Sequence, residues 1–247
     1  MGVRVLSRLP AFRLPRMPRW HILRRRVIAA ALIMAALVAG YMLWFRDSSF
    51  VRVDDVNVVG AEHDAAVAAA LESAAEGQST LDVDVDALRA AVADEPSVAA
   101  VEASADFPHG MTVTVDLRRP AGYIDDDGGM VVAGDGTVLQ TGVDRPDGLP
   151  TIDAAAASSG DRVSGDALGA AEVLGGAPAV LAPQVESVAI DKKLGPVATL
   201  NGGVEVRFGD SSRSDLKWKA VAAVLADPSF TSANYLDVSA PSRPVAG

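Results

Sequence analysis

Residues 101–117 read VEASADFPHGMTVTVDL. Val101, Ala103, Ala105 and Phe107 alternate with polar residues, Pro108-His109-Gly110 interrupts, and Met111, Val113, Val115 and Leu117 then alternate against Thr112, Thr114, Asp116 and Arg118. A period of two puts one set of side chains on one sheet face, and proline with glycine between the runs marks a turn. The stretch therefore predicts a hairpin with one apolar and one wet face. A strand pair alone is marginal in water, so the flanking sequence must cover the apolar face.

The cover lies upstream. Val67, Ala70, Leu71 and Ala74 recur at helical spacing, and Gly77 supplies a stop. Leu81, Val85, Leu88 and Val92 form a second stripe, which Asp84 is placed to cap and Pro96 to close. Before the helices, Val51 and Val53, then Val56 and Val58, alternate as a half-buried strand; its phase changes at Asp54-Asp55, as a bulge or bend would require, and Gly60 ends it. The predicted order over residues 46–119 is strand, helix, helix, strand, strand, with Leu71, Leu88, Val92 and Val113 in one core.

Further out, residues 27–45 read VIAAALIMAALVAGYMLWF, 19 residues without a charge. As a helix they reach roughly 28 Å, enough for a bilayer's hydrocarbon core. Eight arginines and no acidic residue precede this run. Beyond it, the remaining 14 basic residues against 32 acidic ones leave a formal charge of −18. The positive-inside rule then puts residues 1–26, a basic segment ending in Arg24, Arg25 and Arg26, in the cytoplasm and the bulk of the chain outside. Tyr41, Trp44 and Phe45 cluster at the outer end, where aromatic rings favour the interface. A cleaved signal peptide would need a shorter basic stretch, a shorter apolar core and a small-x-small site; Leu37-Val38-Ala39 puts a bulky residue where a small one is wanted. The expectation is one retained span, 27–45, followed by a very short linker, Asp47-Ser48-Ser49.

Downstream, residues 120–247 read as a second, β-rich unit. Met130-Val131-Val132 and Thr137-Val138-Leu139 flank Ala133-Gly134-Asp135-Gly136, a hairpin signal. Leu149-Pro150-Thr151-Ile152 follows, then a small-residue loop over 153–165 and a helix from Asp166 to about Leu174. Val188 with Ile190, Val197 to Leu200, and Val204 to Phe208 suggest three short strands, with Gly202-Gly203 turning between the last two. Trp218, Val221, Ala222 and Leu225 make a helical stripe that Asp227-Pro228 ends. Asn234 to Val238 reads as a last strand before Ser239-Ala240-Pro241.

A β-α-α-β-β unit directly outside a single span resembles a POTRA domain, and several details resemble the FtsQ/DivIB family of bacterial cell-division proteins. Val53-Asp54-Asp55-Val56-Asn57-Val58-Val59-Gly60 is similar to that family's opening strand, V-x-x-V-x-V-x-G. Leu81-Asp82-Val83-Asp84 resembles its entry to the second helix, and Pro96-Ser97-Val98-Ala99-Ala100-Val101 its P-x-V-x-x-V. Phe107-Pro108 with Val113-Thr114-Val115, and Arg118-Arg119-Pro120-Ala121, resemble the F-P … V-x-V hairpin and the R-x-P-A/V end of the domain. The Leu149 to Ile152 segment and the ending Tyr235 to Pro241, similar to Y-x-D-V-S-x-P, extend the resemblance over about residues 22–244.

The resemblance implies an α+β protein: a single N-terminal transmembrane helix, a POTRA domain, and a C-terminal α/β domain with a mainly antiparallel sheet. It implies a non-enzymatic scaffold of the divisome in the cell membrane at the division septum, linking early and late components and holding partners of the FtsB/DivIC and FtsL types. The expected contact is the last strand, Tyr235, Leu236, Asp237, Val238 and Ser239, accepting a partner's strand on a free edge. The alternative in another class is an anchored POTRA chaperone for exported proteins, against which stand the single unit and the lack of a barrel-like repeat. Only three residues follow Pro244, so any tail-mediated contact of relatives is in doubt.

Composition narrows the remaining classes. The chain has no cysteine, which excludes disulfides, thiolate metal sites and a cysteine nucleophile. The acidic exterior argues against nucleic acid. His21, His63 and His109 show no metal-ligand spacing, so no metal or cofactor is expected. Asp82, Asp84 and Asp86 resemble the start of a calcium loop, but Ala87 and Ala93 stand where glycine and glutamate are due. Asp125-Asp126-Asp127-Gly128 reads as a charged turn. Ser214 and Lys217 have the Ser-x-x-Lys spacing of penicillin-binding enzymes without their partner motifs, and a serine near a helix start is usually a cap. No catalytic site and no small-molecule substrate are expected.

Overall fold

A computed structural model describes residues 20–41, 48–126, 128–155, 157–228 and 233–247. Helix α1 spans Trp20–Gly40. It begins seven residues before the apolar run at Val27, because nothing helix-breaking separates Trp20 from that run. Arg24, Arg25 and Arg26 therefore lie in its first two turns rather than ahead of it. That leaves Val27 to Gly40, about 21 Å at 1.5 Å per residue, and among the described residues no helix is long and apolar enough to cross a membrane. Residues 42–45 of the predicted span lie outside the described residues. Val27, Leu32, Ile33, Met34 and Leu37 are exposed, so neither described core covers this helix.

The first core follows. Its elements are β1 (Asp55–Val59), α2 (Ala65–Ala75), α3 (Val85–Ala91), β2 (Val98–Asp106) and β3 (Gly110–Leu117). The sheet order is β1-β3-β2, with β1 parallel and β2 antiparallel to β3. Asp64 and Asp84 cap the two helices through Val67 N (3.2 Å) and Ala87 N (2.9 Å). Val67, Leu71, Leu88, Val92, Met111, Val113 and Val115 bury against one another. The phase change in the opening strand has a visible cause: Asp54 N and Asp55 N both donate to His109 O, at 2.9 and 3.1 Å. Two consecutive donors on one carbonyl kink the chain, so Val53 and Val51 still reach the core. Gly60 (φ +97°) crosses Val115 so closely that a Cβ would stand 2.1 Å from its carbonyl oxygen. The hairpin differs from its sequence pattern at one point: β2 ends at Asp106, and Phe107 is exposed rather than in the apolar row.

The second core is built on a nine-stranded sheet. Its strands are β4 (Pro120–Ile124), β5 (Met130–Ala133), β6 (Val138–Thr141), β7 (Thr151–Asp153), β10 (Val185–Asp191), β11 (Gly195–Leu200), β12 (Glu205–Arg207), β13 (Tyr235–Asp237) and β14 (Val245–Ala246). A small separate pair, β8 (Ala157–Ser159) and β9 (Arg162–Ser164), occupies the predicted loop. The order is β14-β13-β12-β11-β10-β7-β4-β5-β6. Five of its neighbouring pairs are antiparallel and three parallel, so the sheet is mainly antiparallel with parallel joints. Two of the three parallel pairs arise where a helix intervenes, α4 (Gly165–Gly175) between β7 and β10 and α5 (Ser214–Leu225) between β12 and β13; the third, β4 with β7, is bridged by the β5–β6 hairpin instead. Helix α4 crosses the sheet face with α5 beside it. Trp218 on α5 stacks obliquely on Phe208, ring centroids 5.0 Å apart, and its indole N–H donates to Val173 O at 2.7 Å.

Arg118 joins the two cores. Its Nη1 donates to Pro96 O (3.0 Å) and to Val98 O at the start of β2, while its Nε meets Asp135 Oδ2 (2.9 Å) on the β5–β6 turn. Burial raises the Asp135 pKa, but hydrogen bonds from Arg118 and Thr137 outweigh it and bring the carboxyl to about 2.

Candidate partner-binding edge

The predicted terminal strand is shorter than expected and is not a free edge. β13 holds Tyr235, Leu236 and Asp237 only. Val238 continues extended, donating from N to Arg207 O at 2.9 Å. Ser239 lies in a turn in which Asp237 Oδ1 accepts from its N (3.0 Å) and its hydroxyl (2.6 Å). On the inner side β12 runs parallel, with Val206 opposite Leu236. On the outer side β14 runs antiparallel, with Ala246 opposite Leu236 and Val245 opposite Asp237. Gly247 O accepts from Asn234 N (2.7 Å) and Tyr235 N (3.0 Å), and Gly247 N donates to Tyr235 O (3.1 Å). The sequence offered no signal for β14: Ser242, Arg243 and Pro244 before it read as a loop, and two residues carry no period.

Alternation decides what each side chain does. Leu236 and Val238 are fully buried against the helices. Tyr235 and Asp237 point to the other face with Glu205 and Arg207 of β12, their register partners. The Arg207 guanidinium lies 3.8 Å from the centre of the Tyr235 ring and bonds Glu205 at 3.2 Å. Arg207 and Glu205 are the residues the sequence reading missed; the run Val204, Val206, Phe208 implies that the residues between face outward. The edge thus offers one aromatic, one guanidinium and two carboxylates beside a two-residue strand, Val245 of which is 56% exposed.

The residues weighed for chemistry are used structurally. Asp84 is a helix cap. His109 Nδ1 lies 3.1 Å from Arg52 O on a turn. Lys217, fully buried, gives its ammonium to Asp210 Oδ1 and, at 3.0 Å, to Asp210 O, not to Ser214. That ion pair, helped by Ser212, brings the Asp210 carboxyl down to about 2. Among the described residues no cluster of His, Asp or Glu has the arrangement of a metal site.

Known proteins resemble this chain along most of its length. The family described as "Cell division protein FtsQ/DivIB, C-terminal" matches residues 122–239, which run from β4 through the end of β13. The cell division protein FtsQ of Streptomyces venezuelae is 30% identical over 235 residues, covering 89% of this chain and 83% of that protein. FtsQ of Mycobacteroides abscessus is 28% identical, covering 90% and 69%, and FtsQ of Mycolicibacterium smegmatis 29%, covering 87% and 62%.

Proposed function

Because this chain belongs to the FtsQ family of cell division proteins, we propose that it is a non-enzymatic scaffold of the divisome, anchored in the cell membrane at the septum. The observation that carries the reading is its likeness to FtsQ across both cores rather than across one of them. Residues 1–26 are the cytoplasmic segment, 27–45 the anchor, 46–119 a POTRA domain and 120–247 the partner-binding domain. The anchor is supported by α1, whose apolar side chains none of the described residues covers, and by the sequence of residues 42–45, which prolongs the run past Gly40. Arg24, Arg25 and Arg26 hold the N-terminus inside.

Partners of the FtsB/DivIC and FtsL types bind outside the membrane. Their strand pairs with β13 after displacing β14, whose pairing spans only two residues of each strand. Tyr235, Asp237, Glu205 and Arg207 then supply side-chain contacts. A fluorescent fusion in dividing cells tests the scaffold: a midcell band is expected, and uniform membrane staining overturns it in favour of a general assembly factor. Protease added to spheroplasts tests the topology: it should remove most of the mass, and full protection would reverse the orientation.

A further inference from the structure

Outside α1, Phe50 and Phe107 are the most exposed aromatics among the described residues, each at 67%, and Leu81 is exposed beside them. They sit far apart in sequence, but one hydroxyl gathers their neighbours. Thr80, itself buried, bonds Val51 O through both its N (2.7 Å) and its Oγ1 (3.1 Å), and Oγ1 also reaches Pro108 O at 3.2 Å. Phe50 precedes Val51, Leu81 follows Thr80 and Phe107 precedes Pro108. Three loops of the first core are thus tied together at one end of the sheet, and each puts a large apolar side chain into solvent there. The core has no room problem that would explain this, since Val51 and Val53 are fully buried next to Phe50.

We propose that this end of the first core seats on the lipid surface, with Phe50, Leu81 and Phe107 inserted at the headgroup–acyl boundary. The inference rests on the anchor reading above, and the position of the patch is what commits it to lipid. Phe50 stands nine residues after Tyr41, so a chain anchored by α1 keeps Phe50 close to the bilayer, and Thr80 keeps Leu81 and Phe107 with it. Aromatic and leucine side chains carried on a rigid end are suited to that boundary. The polar residues around the patch are mixed: Arg52 and His109 on one hand, Asp54, Asp55 and Asp82 on the other. Seating therefore comes from apolar contact and holds equally on zwitterionic and anionic lipid, with little effect of salt. The first core is then fixed in tilt against the membrane rather than swinging on its linker.

The lack of native cysteines makes the test clean. Phe107→Cys and, as a control on the second core, Val180→Cys (79% exposed) are labelled with an environment-sensitive fluorophore in the full chain reconstituted in phosphatidylcholine vesicles. The label at 107 should be blue-shifted and quenched by lipid carrying a nitroxide near the headgroup, several-fold more than the label at 180. Equal, water-like emission at both positions in vesicle-retained protein overturns the proposal and leaves the anchor standing. A blue shift without lipid quenching also overturns it, because a protein surface would then cover the patch. Protein that alkaline carbonate strips from the vesicles refutes the anchor itself, and the proposal with it. A Phe50→Cys variant repeats the measurement should labelling at 107 disturb the Thr80 junction.

Discussion

The two cores solve the same problem with different materials. The first buries only aliphatic side chains, from Val53 through Val115, under two helices and three strands that follow one another within about 65 residues. The second depends on an aromatic pair, Phe208 and Trp218, and a fully buried Lys217, and it assembles strands from residues as distant as Tyr123 and Leu236. In the first, no aromatic side chain is buried in the cluster and no single residue dominates its volume. In the second, one indole fills the junction of α4, α5 and the sheet, and its N–H must find Val173 O. Local assembly yields a core with spread risk, and distant assembly concentrates risk in a few large groups.

The sharpest way to break this contrast is Trp218→Ala. It should cost about 3–5 kcal/mol and lower the second core's unfolding midpoint while leaving the first core's unchanged. Calorimetry of the full chain reads both; a single transition moved as a whole would show that the cores fold as one unit. Leu88→Ala should do the converse in the first core, at about 2–4 kcal/mol. An unaltered midpoint there would refute the packing of α3.

A smaller effect separates fold from binding at the sheet's end. Val238 N donates inward to Arg207 O, so Val238→Pro should destabilise the second core by about 1–3 kcal/mol. Tyr235 N points outward, to Gly247 O, and Asp237, two residues on, shares its side. Asp237→Pro should therefore keep the fold and weaken binding of an FtsB/DivIC-type partner, measured by titration of the two proteins. Full affinity in both folded variants would move the contact elsewhere. Deleting residues 245–247 should strengthen that binding if the partner replaces β14, and a loss would place the partner on the outer edge of β14 instead.

Acid supplies the smallest difference. Asp210 in the second core and Asp135 at the junction each have a folded pKa of about 2 against an ordinary 3.8. A depressed carboxylate stabilises the fold above its unfolded pKa and loses that contribution as pH falls through the folded one. The second core should therefore weaken between about pH 4 and pH 2, by about 1 kcal/mol or less for the solvent-exposed Asp210 carboxylate. In Asp210→Asn that loss should shrink, as acid titration followed by tryptophan fluorescence would register.

How far the sequence could be read follows the same division. Val67, Leu71, Leu88 and Val113 are buried together as their spacing predicts, because helices α2 and α3 and the β2–β3 hairpin are each specified by contiguous residues. The sequence pattern failed where distant chain segments decide. Phe107 fits the alternation of β2 but lies past the strand's last paired residue. β8 and β9 pair within a stretch of small residues that carries no period. Tyr235 to Val238 shows its buried and outward rows correctly, yet its outer side is taken by Val245 and Ala246, which only the folded chain brings there. The start of α1 at Trp20 is not legible in hydropathy, which marks where apolar residues begin, not where a helix does.

Arg118 gives the molecule a mechanical property. Its guanidinium grips carbonyls at the root of β2 with one nitrogen and a carboxylate of the β5–β6 turn with another. A load applied at the far end of the nine-stranded sheet runs strand by strand to β4 and enters the first core along the backbone of Arg118 and Arg119, with this side chain acting in parallel from the β5–β6 turn. With it in place the joint between the two cores resists bending as well as extension. In Arg118→Ala the two-residue backbone link remains and this brace is lost.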